Sequence, residues 1–217
     1  TAHMWFGDYV TMKWFDDVWT KEVFANYFAS RIVSPHYKGI NHHLNFVTDY
    51  LPSAYTEDRT DGANSVKQQL DNLADAGLVY GNIIYNKSPM IMEMLVRLLG
   101  EEKFRDGIRE YLSSFGYANA TWEDLIDILD GYSDMDLKEW SRSWVCEGGM
   151  PVIEHRIEDA EIVITQSDPT GKGVLRSQEI TYLVNENPCT VFLEGKCARL
   201  PLPQGCMECD DMAVVPN

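Results

Sequence analysis

The sequence predicts an α+β, multi-domain chain, helical over residues 1–150 and β-rich over 151–217. Three observations lead there. Apolar residues recur at helical spacing, with capping residues between the runs, as far as residue 145. From Pro151 the period changes to two. Between the two regimes stands Gly148-Gly149-Met150-Pro151. A chain of 217 residues has room for one or two domains, and 45% hydrophobic residues suffice for a sizeable core.

The first helix is expected over 16–33, where Trp19, Phe24, Phe28 and Ile32 fall close to one stripe. Ser34-Pro35 ends it, because a residue before proline is pushed out of the helical region. A second helix is expected over 44–55, interrupted at Pro52. His36, His42 and His43 invite a metal reading, but they lack ligand spacing and read as solvated loop residues. Residues 61–79 are polar and loop-rich. An apolar helix follows over 90–99, with Pro89 in its first turn, where a missing N–H is not needed. Gly100 stops it. The helix over 101–114 opens on acids, which suit a helix N-terminus, and buries Phe104, Ile108, Tyr111 and Leu112. Thr121-Trp122-Glu123-Asp124 has the capping-box pattern ahead of 125–129, with Gly131 as the stop. Residues 133–136 repeat the start signal before a last helix over 137–145.

Beyond Pro151, Ala160, Ile162 and Ile164 alternate with Glu161, Val163 and Thr165, and residues 180–184 are rich in β-formers. Turns are marked by Asp168-Pro169-Thr170-Gly171, Asn185-Glu186-Asn187-Pro188 and Glu194-Gly195. Val191-Phe192-Leu193, a turn, and Cys197-Ala198-Arg199-Leu200 read as a hairpin. Together these strands suggest a small β-sandwich. The end of the chain, with Pro201, Pro203 and Pro216, is expected to fray.

Charge narrows the function. The chain has 18 basic and 34 acidic residues, a net charge of −16. This argues against nucleic acid, whose phosphates need a basic footprint, and against anionic membrane surfaces. No apolar run approaches the roughly 18 residues of a transmembrane helix. An acidic cleft would attract the free amino terminus of a peptide, although a solubilising surface accounts for most of these charges. The five cysteines, Cys146, Cys189, Cys197, Cys206 and Cys209, are odd in number and cannot all pair. Cys206 and Cys209 have C-x-x-C spacing, but the others do not complete a standard zinc finger. Free thiols are expected, with room for one disulfide, such as Cys189 to Cys197, if the protein is exported.

The stretch that carries chemistry is the first 28 residues. It runs His3-Met4-Trp5-Phe6-Gly7-Asp8-Tyr9-Val10-Thr11, then Trp14-Phe15-Asp16-Asp17-Val18-Trp19-Thr20-Lys21-Glu22-Val23-Phe24-Ala25. On residue type alone, His3 reads as a packed histidine and Glu22 as a half-exposed helix residue. The longer pattern resembles the metal-site segment of zinc aminopeptidases of the aminopeptidase N type, H-E-x-x-H-Q-W-F-G-D-x-V-T followed by W-W-D-D-L-W-L-N-E-G-F-A. The resemblance implies that His3 is the second zinc histidine and Glu22 the third ligand. Met4, Phe15, Lys21 and Val23 depart from the pattern, and none removes a ligand. Lys21 and Val23 bear on the substrate cleft. The first histidine and the neighbouring general-base glutamate would precede Thr1, so the chain reads as an excised C-terminal piece, expected to be inactive alone.

Such a site has a chemical logic. Two histidines at i and i+4 occupy one helical face, a carboxylate from a second helix adds the third ligand, and water takes the fourth position. A second segment, Tyr85-Asn86-Lys87-Ser88-Pro89, resembles the family's Y-E-K-G-A, which implies that Tyr85 donates a hydrogen bond to the developing oxyanion. By residue type alone Tyr85 is a packed aromatic with its hydroxyl at the surface. Tyr80 is a weaker candidate for lining the cleft. Leu99-Gly100-Glu101, Thr121-Trp122 and Gly148-Gly149-Met150-Pro151 also resemble the family. The resemblance implies the helical C-terminal lobe of a thermolysin-like catalytic domain followed by a β-sandwich, one zinc ion, and peptide substrates cleaved at their N-terminal residue. The competing reading is a non-catalytic member used as a protein-interaction scaffold; joint retention of His3, Glu22 and Tyr85 favours the enzyme.

Overall fold

Helix α1, Trp19–Val33, is the element on which the first part of the chain is assembled. The computed structural model describes residues 1–60, 62–72, 74, 81–184, 187–201 and 212–215, and divides into two units, Thr1–Gly149 and Met150–Asn217. A 3-10 turn, Phe15–Asp17, immediately precedes α1, so the helix begins later than its apolar spacing predicts. Its buried face is Trp19, Val23, Phe24 and Tyr27, while Ile32 is 53% exposed. The expected stripe is thereby corrected. Steps of four and five residues drift round a helix of 3.6 residues per turn, so Ile32 has left the face that the row Trp19, Val23, Tyr27 defines.

Helix α2, His42–Asp58, is longer than expected and runs through Pro52 without a break. Asn41 caps it, its side chain accepting from Leu44 N at 3.0 Å. His42 and His43 are therefore the first helical residues, not loop residues. After the segment 62–72 come a π-helical turn, Ile83–Lys87, and α3, Ser88–Leu99, which buries eight residues including Ile91, Met92 and Leu95. Gly100, at φ +81°, joins α3 to α4, Glu101–Phe115. Helix α5, Trp122–Asp130, carries the expected capping box, with Thr121 and Asp124 exchanging hydrogen bonds. Helix α6, Leu137–Val145, is capped by Asp136, which accepts from Glu139 N at 2.9 Å.

A short parallel pair, β1 Val10–Met12 and β2 Ala118–Ala120, was not legible in the sequence. It joins the opening segment to the α4–α5 connection. The core beneath is aromatic: Phe6 stacks on Phe24 at 4.0 Å between centroids, and Trp19 meets Trp122 at 4.7 Å.

The second unit contains two antiparallel three-stranded sheets. One has the order β3 (Val152–Glu158), β4 (Glu161–Ser167), β7 (Cys197–Pro201). The other has the order β6 (Asn187–Leu193), β5 (Gln178–Val184), β8 (Met212–Val215). Ile162 and Ile164 of the first share one apolar cluster with Ile180, Tyr182 and Leu193 of the second. The expected hairpin of β6 and β7 is corrected: the two strands are consecutive but belong to different sheets. Gln166 explains the arch. Its side chain, buried at 1% exposure, donates to the carbonyls of Gly195 and Arg176, and Arg176 N donates back to it at 3.0 Å. Within the chain end expected to fray, Pro201 closes β7 and Met212–Val215 pairs with β5, while Pro203 and Pro216 lie outside the described residues. Ala160, expected in a strand, sits with Asp159 in the β3–β4 turn, both at positive φ. Cys146 and Cys197 are free thiols, so the candidate disulfide between Cys189 and Cys197 does not form; Cys206 and Cys209 lie outside the described residues.

Candidate metal centre

His3 sits on a 3-10 turn, Ala2–Met4, whose backbone is closed by Met4 N to Thr1 O at 3.1 Å and Trp5 N to Ala2 O at 3.0 Å. Phe6, 6% exposed and stacked on Phe24, anchors the turn onto α1. Gly7 then doubles the chain back at φ +127°, a conformation that side-chain-bearing residues avoid. A Cβ there would make ordinary contacts, 3.4 Å from the His3 carbonyl and 3.7 Å from the Lys21 Cβ, so it is the backbone angle rather than lack of space that calls for glycine.

Glu22 lies in the first turn of α1, where a carboxylate is favoured by the helix dipole. Its Oε2 stands 3.9 Å from His3 Nε2, and its Oε1 stands 3.7 Å from Lys21 Nζ. The His3 side chain is 49% exposed and that of Glu22 only 17%. The pair thus faces outward from a fixed wall. Two donors on one tetrahedral zinc, bonded at about 2.0–2.2 Å, stand about 3.4 Å apart. The observed separation needs a contraction of about half an ångström, within reach of side-chain rotation. An imidazole nitrogen and a carboxylate oxygen fit two corners of a zinc site, and no cluster of three metal-binding side chains occurs among the described residues.

Tyr85 is in the π-helical turn, and it is 38% exposed. The turn has a local cause. Pro89 has no N–H to give to the carbonyl of Tyr85 in α register, nor to that of Ile84 in π register. Ser88 N bonds Ile83 O across the wider turn, and the Ser88 hydroxyl caps Ile84 O. Asn26 Nδ2 lies 3.5 Å from Tyr85 O. Asn26 is one helical turn beyond Glu22 on α1, so the turn that carries Tyr85 packs beside the face that carries Glu22. Of the sequence candidates, His3, Glu22 and Lys21 are brought into direct contact, Tyr85 is placed on the neighbouring turn, and Tyr80 lies outside the described residues.

Sequence reasoning missed three supporting groups. The i+4 spacing from Glu22 to Asn26 was a readable signal. The buried pair of Lys87 and Asp58, with Nζ 2.8 Å from Oδ2, had none, since 29 positions separate its partners. Nor did Asp17, which is 2% exposed with Lys67 Nζ at 3.2 Å. Burial pushes the Asp17 carboxyl up to about 6 against the pull of that ammonium.

The peptidase family M1 domain matches residues 1–144. The chain belongs to peptidase family M1. It is 34% identical to aminopeptidase N of Lactobacillus delbrueckii subsp. lactis over 85% of its own length and 22% of that protein's. It is 29% identical to a probable aminopeptidase 2 of Sulfurisphaera tokodaii over 89% of its length and 25% of that protein's. To the puromycin-sensitive aminopeptidase of Caenorhabditis elegans it is 34% identical over 70% of its length and 16% of that protein's. The chain thus spans a quarter or less of each of these relatives. M1 peptidases are metallopeptidases that use zinc. The M1 match covers His3, Lys21, Glu22 and Tyr85 and stops before the β-rich unit.

Proposed function

We propose that this chain supplies two of the three zinc ligands and the oxyanion donor of an aminopeptidase that removes N-terminal residues from peptides. The observation that carries the reading is the approach of His3 Nε2 to Glu22 Oε2 at 3.9 Å, inside the M1 match. Residues 1–150 then form the helical C-terminal lobe of a thermolysin-like catalytic domain, and residues 151–217, next along the chain, a β-sandwich. Bound zinc supplies a Lewis acid that polarises the scissile carbonyl and brings the pKa of water to about 7. His3 offers Nε2. Lys21 holds Glu22 Oε1, which leaves Oε2 as the oxygen turned to His3. Tyr85 donates its phenolic O–H to the oxyanion as charge develops there, an interaction of about 3 kcal/mol in a dry site. Lys21 borders the cleft that receives the peptide.

The test uses the natural protein that carries this sequence, assayed on aminoacyl-arylamides with and without chelator. His3→Ala and Glu22→Gln are expected to lose both zinc and activity. Tyr85→Phe is expected to keep its zinc and lose about 100-fold in kcat. Full zinc content in both ligand variants would remove the basis of the assignment. The 217 residues taken alone are expected to turn over no substrate, because two ligands do not close a catalytic zinc site.

A further inference from the structure

We propose that Lys87 is a positioning residue for Tyr85: its buried ion pair with Asp58, closed by the backbone of Gly149, holds the π-helical turn in the register that aims the phenol. The inference rests on the proposed role of Tyr85. Lys87 Nζ lies 2.9 Å from Asp58 Oδ1 and 2.8 Å from Oδ2, and donates to Gly149 O at 3.2 Å. Gly149 N donates back to Asp58 Oδ1 at 3.0 Å. Lys87 is 4% exposed and Asp58 5%. Three segments distant in sequence meet in this one polar knot: the last residue of the π turn, the last residue of α2, and the end of the first unit.

A buried ion pair is a poor source of stability, because taking both charges out of water offsets most of their attraction. What it supplies is uniqueness. The ammonium and carboxylate are satisfied only when all three segments stand in one arrangement. That matters most at a π turn. It holds one residue more than an α turn, and each residue advances a helix by about 100°. If the turn relaxed to α register, Tyr85 would rotate by about that angle relative to α3. π turns occur often at functional sites for this reason: they re-aim a side chain at a cost in helix geometry. Lys87 is two residues from Tyr85 and ends the turn, so its anchorage sets where the extra residue is accommodated.

The test is made in the natural protein, with Lys87→Met and Asp58→Leu combined so that both charges leave together. The double variant is expected to fold and to lose about 10- to 100-fold in kcat with KM unchanged, the scale of a slightly misplaced catalytic group. In a Tyr85→Phe background the same two substitutions should change kcat by less than about twofold, because the group they aim is gone. Unchanged kcat in the double variant overturns the inference. So does an equal fall of kcat in the Tyr85→Phe background. If the double variant does not fold, Lys87→Met with Asp58→Asn removes both charges with little change of shape and carries the same expected split. Tyr85→Phe without effect on kcat defeats the role of the tyrosine, whereas a Tyr85-sensitive enzyme indifferent to Lys87 and Asp58 defeats only the positioning.

Discussion

Asp17 illustrates how far a single residue's behaviour depends on neighbours that its sequence does not reveal. It occupies the D-D-x-W segment one turn before α1, buried at 2% exposure. Lys67, 3.2 Å away, is shared with Glu123 at 2.8 Å, so Asp17 receives only part of one cation. Desolvation wins, and its pKa rises to about 6. An acid whose folded pKa exceeds its unfolded value binds more protons when folded. Stability from this group is therefore present below about pH 4 and is lost as pH rises towards 6. Asp17→Asn removes that slope. The gap between variant and parent should widen in the variant's favour by about 2 kcal/mol between pH 4 and pH 7, read by denaturant unfolding at each pH. A gap that stays flat would place the Asp17 pKa near its ordinary value. His3 and Glu22 were legible because a long aromatic motif fixes their spacing. Asp17, Lys87 and Gln166 were not, because each acts through a partner or carbonyl far along the chain.

At the scale of elements, most boundaries in the first unit followed from caps and prolines. Thr121, Asp136 and Gly100 each stand where a helix starts or stops. The failures have physical causes. A π turn inserts one residue and leaves almost no trace in apolar periodicity. A three-residue parallel pair such as β1 with β2 is set by tertiary contact alone. The spacing of β6 and β7 suits a hairpin, and only the buried amide of Gln166 reveals the arch. The π turn can be tested as an element. The Ser88 hydroxyl is fully buried and caps a carbonyl that Pro89 cannot serve. Ser88→Ala should cost about 1–3 kcal/mol by stranding that carbonyl. Adding Pro89→Ala restores an N–H at the next position and should recover part of the loss, as measured by urea denaturation. Equal stability of the parent and the Ser88→Ala variant would mean that another donor serves the Ile84 carbonyl. The α5 cap offers a simpler comparison: Thr121→Ala removes one side of a reciprocal box and should cost about 1 kcal/mol.

For the whole molecule the governing quantity is the imbalance of 34 acidic against 18 basic residues. The ion pairs at the surface are mostly half-exposed, such as Lys138 with Asp127 at 2.8 Å and Arg142 with Glu139 at 2.7 Å. Each contributes about 0–1 kcal/mol. The bases are too few to neutralise the acids, so repulsion among carboxylates extends over the surface while attraction is confined to close pairs. Salt screens separations beyond about 10 Å at 0.1 M and leaves close pairs less affected. Added salt should therefore relieve more repulsion than it weakens attraction. Raising NaCl from about 0.01 M to about 0.3 M at pH 7 should increase Tm by about 2–4 °C, equivalent to roughly 1 kcal/mol for a protein of this size. The buried pair of Lys87 and Asp58 should add nothing to this salt response, since ions do not reach it. The Lys87→Met, Asp58→Leu variant should thus keep the same salt slope as the parent in circular-dichroism melts. A Tm that falls with salt would mean that attraction between the paired charges outweighs the repulsion of the excess acids.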